Sequence, residues 1–92
     1  MIVRGHGLMN LPGPLMLAIM GVLWRAECRV QFMAIHRSIC QSYKPVAITT
    51  TSATLGRMIA SGYVTRHRPG IYQAAISRAA LIQAIAAIIE EA

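Results

Sequence analysis

The sequence predicts one mainly α-helical domain carrying a small β-hairpin. The expected order is helix, short strand, helix, helix, hairpin, helix. Three observations lead there. Apolar residues recur at helical spacing in separate stretches along the chain. A Pro-Gly pair lies between two short runs of aromatic and β-branched residues, the pattern of a hairpin. The length, 92 residues, suits a single modest core.

Residues 1–10, with Gly5, Gly7 and Asn10, read as a flexible tail ahead of a domain spanning 11–76. The first helix is expected from about Pro14 to Arg25, because proline suits a helix's first turn. Leu15, Ile19, Val22 and Leu23 share one face, and Met16, Met20 and Trp24 widen it, as in a helix packed on more than one side. The apolar run Leu15–Trp24 loosely imitates a signal peptide, but it is too short to span a bilayer. Arg25, Ala26 and Glu27 follow it instead of a small-x-small cleavage site. The expected location is therefore cytoplasmic.

Cys28–Gln31 reads as a short extended link. A second helix fits Phe32–Gln41, with Phe32, Ile35 and Ile39 inward and Arg37, Ser38 and Gln41 outward. Ser42-Tyr43-Lys44-Pro45 ends it, since proline pushes its predecessor out of the α region. The third helix is expected to begin near Thr49, with Thr49 or Thr50 as its cap. At about 100° per residue, Ile48, Thr51, Ser52, Leu55 and Ile59 share an inward face with Met58 at its edge. Thr50, Ala53, Arg57 and Ala60 lie opposite, flanked by Thr54 and Ser61. Gly62 is a natural stop. Tyr63–His67 and Ile71–Ala75 then bracket Arg68-Pro69-Gly70 as a hairpin. The last helix, Ser77–Glu91 within a C-terminal segment 77–92, is capped by Ser77 and carries Leu81, Ile82, Ile85, Ile88 and Ile89 as an apolar stripe. That stripe exceeds the needs of so small a core and predicts a homodimer; packing on the first helix is the competing use.

Charge narrows the function. Nine Lys and Arg face three acids, for a net charge of +6. The acids are Glu27, Glu90 and Glu91, so the stretch from Cys28 to Arg78 holds seven bases and no acid. Solvated surfaces usually mix signs, and an acid-free basic stretch points to a polyanionic partner. The absence of Asp, of a mid-chain carboxylate pair and of a Gly-rich phosphate loop argues against an enzyme. Cys28 and Cys40 are too few for a disulfide framework and read as free thiols. His36 and Cys40 have ligand spacing on one helix face, but Cys28 is isolated and no fourth ligand is evident. No metal or other cofactor is expected.

Two helices, a sharp turn, a third helix and a hairpin form the winged helix-turn-helix order. In that fold the third helix enters the major groove of double-stranded DNA. Thr49, Thr50, Ala53, Thr54 and Arg57 are the side chains expected there: arginine can read guanine edges, threonine can contact bases or phosphates, and alanine can meet a thymine methyl. Arg66, His67 and Arg68 at the hairpin tip, with Lys44 in the turn, are placed for the sugar-phosphate backbone. The competing readings are an architectural or segregation protein with little sequence preference, a winged-helix protein-interaction module, and a segment lying on anionic lipid. No membrane partner is expected.

The stretch from Leu11 to about Ser77 resembles the penicillinase-repressor family, the BlaI/MecI/CopY group. The residues carrying the likeness are Ile19-Met20-Gly21-Val22-Leu23-Trp24, Ile48-Thr49-Thr50-Thr51, Leu55-Gly56-Arg57-Met58 and Gly62-Tyr63-Val64, in the family's order. The resemblance implies a dimeric transcriptional repressor on a palindromic operator. It marks Thr50, Thr54 and Arg57 in the recognition helix and Arg66 and Arg68 in the wing. Ser61 stands where the family usually has a basic residue, and Gly56 is unusual inside the helix. The family's longer dimerisation region corresponds here to one helix, and no Cys-x-Cys copper motif is present.

Overall fold

The computed structural model describes residues 13–91, apart from the side chains of Ile88 and Glu91. The expected tail 1–10 lies outside the described residues. The elements are α1 (Pro14–Ala26), β1 (Val30–Gln31), α2 (Phe32–Ser42), α3 (Ile48–Ala60), β2 (Val64–Arg68), β3 (Ile71–Ala74) and α4 (Arg78–Glu91). This is the expected winged helix-turn-helix, mainly helical with a small antiparallel sheet.

Helix α1 opens on Pro14. It buries Ile19, Val22 and Leu23 of the predicted stripe and Met20 of its widened edge. Helix α2 adds Ile35 and Ile39, and α3 adds Leu55 and Met58, all essentially inaccessible. Val64 of β2 closes the cluster. These side chains form one contiguous core between the three helices and the base of the hairpin, which sets the orientation of α3.

The sheet has the order β1-β3-β2 and is antiparallel throughout. Thr65 pairs with Gln73 and Arg66 with Tyr72, but Arg68 pairs with Ile71. His67 is therefore an extra residue, a bulge just below the Pro69-Gly70 turn. Gly70 has φ +82°, a conformation that disfavours any side chain. The link predicted at Cys28–Gln31 contributes β1, whose Val30 pairs with Tyr72. This edge pairing anchors the wing to the start of α2, where the Phe32 amide donates to the Gly70 carbonyl at 2.8 Å.

Helix α3 departs from the expectation in two ways. It begins at Ile48 with Ala47 as its N-cap and no side-chain cap. Thr49 and Thr50 lie inside the first turn, where the Ala47 carbonyl accepts from the amides of Thr50 and Thr51. The buried face is also turned, by about two-thirds of the 100° step between residues. Thr51, Thr54, Leu55 and Met58 point inward, while Ile48 is 51% exposed and Ser52 is exposed. Two threonines can be inside because each hydroxyl has a partner, which removes the main cost of burying it. At the other end, the Gly62 amide donates to Ile59 and the Tyr63 amide to Met58, a Schellman stop.

Ser77 caps α4 as expected, its hydroxyl accepting from the Ala80 amide at 3.1 Å. The predicted stripe divides. Leu81 is 2% exposed and Ile85 half-buried, whereas Ile82 and Ile89 are 56% and 60% exposed. The indole of Trp24 donates to the Ile76 carbonyl at 2.9 Å, holding the segment that leads into α4 against α1. An open groove of about 430 Å³ remains between the two helices, bordered by Leu17, Trp24, Leu81, Ile82 and Ile85.

Candidate nucleic-acid interface

The outward surface of α3 is formed by Thr49, Thr50, Ser52, Ala53, Gly56, Arg57 and Ala60, all exposed. Four of the five recognition-helix residues expected from sequence, namely Thr49, Thr50, Ala53 and Arg57, are on it. The fifth, Thr54, is a correction: it is 2% exposed and cannot present its side chain to a groove. It instead accepts a hydrogen bond from Nη2 of Arg57 at 3.2 Å. The rotation of the buried face explains the exchange. Ser52, assigned inward from the wheel, takes an outward place, and Gly56 adds a patch with no side chain. A hydrogen-bond partner for a buried hydroxyl is not visible in a periodicity, so periodicity alone interchanges Thr54 and Ser52.

Arg66, His67 and Arg68 are exposed on β2. Nε2 of His67 lies 2.7 Å from Oε1 of Gln73, so the bulged imidazole is tied across the hairpin to β3. The wing follows directly from the C-terminus of α3 through Gly62 and Tyr63, and β2 packs on α3. Lys44 sits in the turn between α2 and α3, exposed, its Nζ 5.5 Å from the centre of the Tyr43 ring. Short polar groups on one helix and guanidinium groups on the adjoining hairpin are the donor types that contact bases and phosphates, respectively.

Behind this surface a buried polar chain joins the two helices of the helix-turn-helix. Nδ1 of His36 is 2.8 Å from Oγ1 of Thr51, and Nε2 is 3.6 Å from Sγ of Cys40. The Cys40 thiol donates to the Val46 carbonyl at 3.7 Å. A thiol has one proton, so with that proton on Val46 the His36 Nε2 must donate to sulfur, and Nδ1 accepts from Thr51. The chain therefore has a single direction, from α3 through α2 to the turn. His36 is 9% exposed and stacks on Phe32, with ring centres 6.2 Å apart. Sequence spacing placed His36 and Cys40 on one face but carried no sign of Thr51. Cys28 is exposed and outside this network. Among the described residues no three His, Cys, Asp or Glu side chains cluster as a metal site.

Among the described residues no helix is long and apolar enough to cross a membrane. A family model described as penicillinase repressor matches residues 12–89. No curated protein matches the chain, and no solved structure does.

Proposed function

The chain belongs to the penicillinase repressor family, and from that premise we propose that it is a cytoplasmic, sequence-specific transcriptional repressor that binds a palindromic operator as a homodimer. The observation that supports this most is the pairing of an exposed polar face on α3, bearing one arginine held by Thr54, with a basic wing on the next element. In a major groove the Arg57 guanidinium keeps donors free for the acceptor pair on a guanine. Thr49, Thr50 and Ala53 lie beside it, and the unpaired amides of the α3 N-terminus favour a nearby phosphate. Arg66, His67, Arg68 and Lys44 hold the duplex through its backbone and carry no sequence preference themselves.

Dimerisation is assigned to α4. Ile82 and Ile89 are exposed aliphatics on a helix that already uses Leu81 internally; Ile85 and Ile88 are the other members that the sequence assigns to the stripe. A two-fold pair of such chains sets two recognition helices about 34 Å apart, one turn of DNA. Selection of genomic fragments by the purified protein, followed by sequencing, tests the reading. Enrichment of inverted repeats is the expected result. Enrichment of no sequence, with tight salt-dependent binding to every duplex, would replace it with an architectural role.

A further inference from the structure

We propose that the groove between α1 and α4 binds a fatty carboxylate of about eight to ten carbons, at a site that shares no residue with the DNA-facing surface assigned above. The groove has a volume of about 430 Å³, within the range of small-molecule sites. Its two ends are unlike. On α1 the lining runs from Leu17 through Gly21 and Trp24 to Arg25, and on α4 from Arg78 through Leu81 and Ile82 to Ile85. The bond from the Trp24 indole to the Ile76 carbonyl sets the last turn of α1 beside the start of α4. Arg25 and Arg78 therefore share one end of the groove. Leu17 and Ile85 each lie about two turns away along their own helices.

The charged end suits an anion. Nη1 of Arg25 is 3.3 Å from where a Cβ on Gly21 would stand, so the guanidinium folds back along α1 over the bare floor of the groove. Arg78 lies in the first turn of α4, where the helix dipole favours an acid and disfavours a base. No acid occupies that turn. Ser77 takes the Ala80 amide, and the amides of Arg78 and Ala79 have no intrahelical acceptor. Among the described residues neither guanidinium has a hydrogen bond or an ion pair. A carboxylate placed between them accepts forked, charge-assisted bonds. It also supplies the negative charge that the start of α4 lacks.

The other end suits hydrocarbon. Leu17, Leu81, Ile82 and Ile85 are its aliphatic walls, and Leu17 and Ile82 are 42% and 56% exposed. A chain laid along them takes apolar surface out of water. Leu17 and Arg25 are eight residues apart, a rise of about 12 Å, which about eight to ten bonded carbons span. Trp24 is the only tryptophan in the chain and lines this groove, so its emission reports occupancy.

The test titrates octanoate, 1-octanol and octylammonium into the full chain at neutral pH and follows tryptophan emission. Octanoate is expected to shift the emission to shorter wavelength and to saturate with a Kd of about 1 mM or tighter. Octanol is expected to bind at least about tenfold more weakly, and octylammonium to give no saturable shift. R25Q and R78Q should each weaken octanoate about three- to tenfold and leave octanol unchanged. Gly21→Leu fills the floor while favouring the helix, and should abolish the octanoate shift with the far-ultraviolet circular dichroism retained. Octanol or octylammonium binding as well as octanoate, or unchanged octanoate affinity in both R25Q and R78Q, would overturn the proposal. A response to vesicles of anionic phospholipid but not to octanoate would overturn it too, and would make this face a lipid contact. Emission that changes on dilution of the protein alone, and is indifferent to octanoate, would give the groove to a second copy of the chain. None of these readings involves DNA, so they stand whatever the operator selection finds.

Discussion

Nη2 of Arg57 donates to the buried hydroxyl of Thr54 one helical turn before it, at 3.2 Å. Arg57 is the only base within α3, so the positive charge of this helix is held by a residue that does not itself reach the surface. A guanidinium has five N–H donors; the bond to Thr54 uses one and restricts the rotamers of the rest. Preorganisation of this kind lowers the entropy lost when a long side chain is fixed on a base.

Arg57→Ala should therefore cost about 1–3 kcal/mol on the preferred duplex and much less on random DNA. Thr54→Val keeps the buried shape but releases the guanidinium, and should lower the ratio of specific to random affinity more than it lowers random affinity. Competition titrations against random duplex measure both. Equal losses on both kinds of DNA for Arg57→Ala would remove its reading role.

The wing should behave differently. Arg66→Ala and Arg68→Ala each remove an exposed guanidinium from the hairpin, and the expected loss is uniform across sequences. If each contacts one phosphate, the slope of log affinity against log salt should fall by about 1 per substitution. A loss confined to one sequence would mean that the wing reads bases.

What the sequence made legible, and what it did not, divides along physical lines. The stripes of α1 and α2, the Pro69-Gly70 turn, the Gly62 stop and the Ser77 cap all rest on local rules, and each appears where those rules place it. The inward face of α3 is not legible in a helical wheel, which treats threonine as indifferent to burial. Thr51 and Thr54 are inside only because His36, from another helix, and Arg57, from the next turn, supply partners. The α4 stripe was legible as apolar, but its division into buried Leu81 and exposed Ile82 depends on where α1 lies against it.

Two glycine substitutions should move stability in opposite directions. Gly56 sits within α3, and an added Cβ there meets nothing within 4 Å. Gly56→Ala should stabilise by about 0.5–1 kcal/mol through the lower entropy of the unfolded chain. Gly62 has φ +86°, so Gly62→Ala should destabilise by about 1–2 kcal/mol. Urea denaturation measures both. If the bare patch at Gly56 lies against DNA, Gly56→Ala should also lower affinity while raising stability, a combination that general damage to the fold does not produce.

The last prediction separates the two halves of the α4 stripe. Leu81 is buried within the chain, so Leu81→Ala should cost about 2–5 kcal/mol through lost burial and a cavity. Ile82 and Ile89 are more than half exposed, and a lysine at either place has water available in the isolated chain. Ile82→Lys and Ile89→Lys should change the intrinsic stability of one chain by no more than about 0.5 kcal/mol. In a dimer sealed by α4 the same lysines are desolvated or set against apolar partners, so sedimentation velocity should show monomers at concentrations where the unaltered chain pairs. Folding linked to pairing makes the midpoint of thermal unfolding depend on protein concentration, and that dependence should disappear in both lysine variants. Binding to a two-site operator should fall steeply while binding to a half-site is kept, because the link between two recognition helices is lost and each helix is intact. A dimer that persists in Ile82→Lys, Ile89→Lys and the double variant would place the interface elsewhere on the chain.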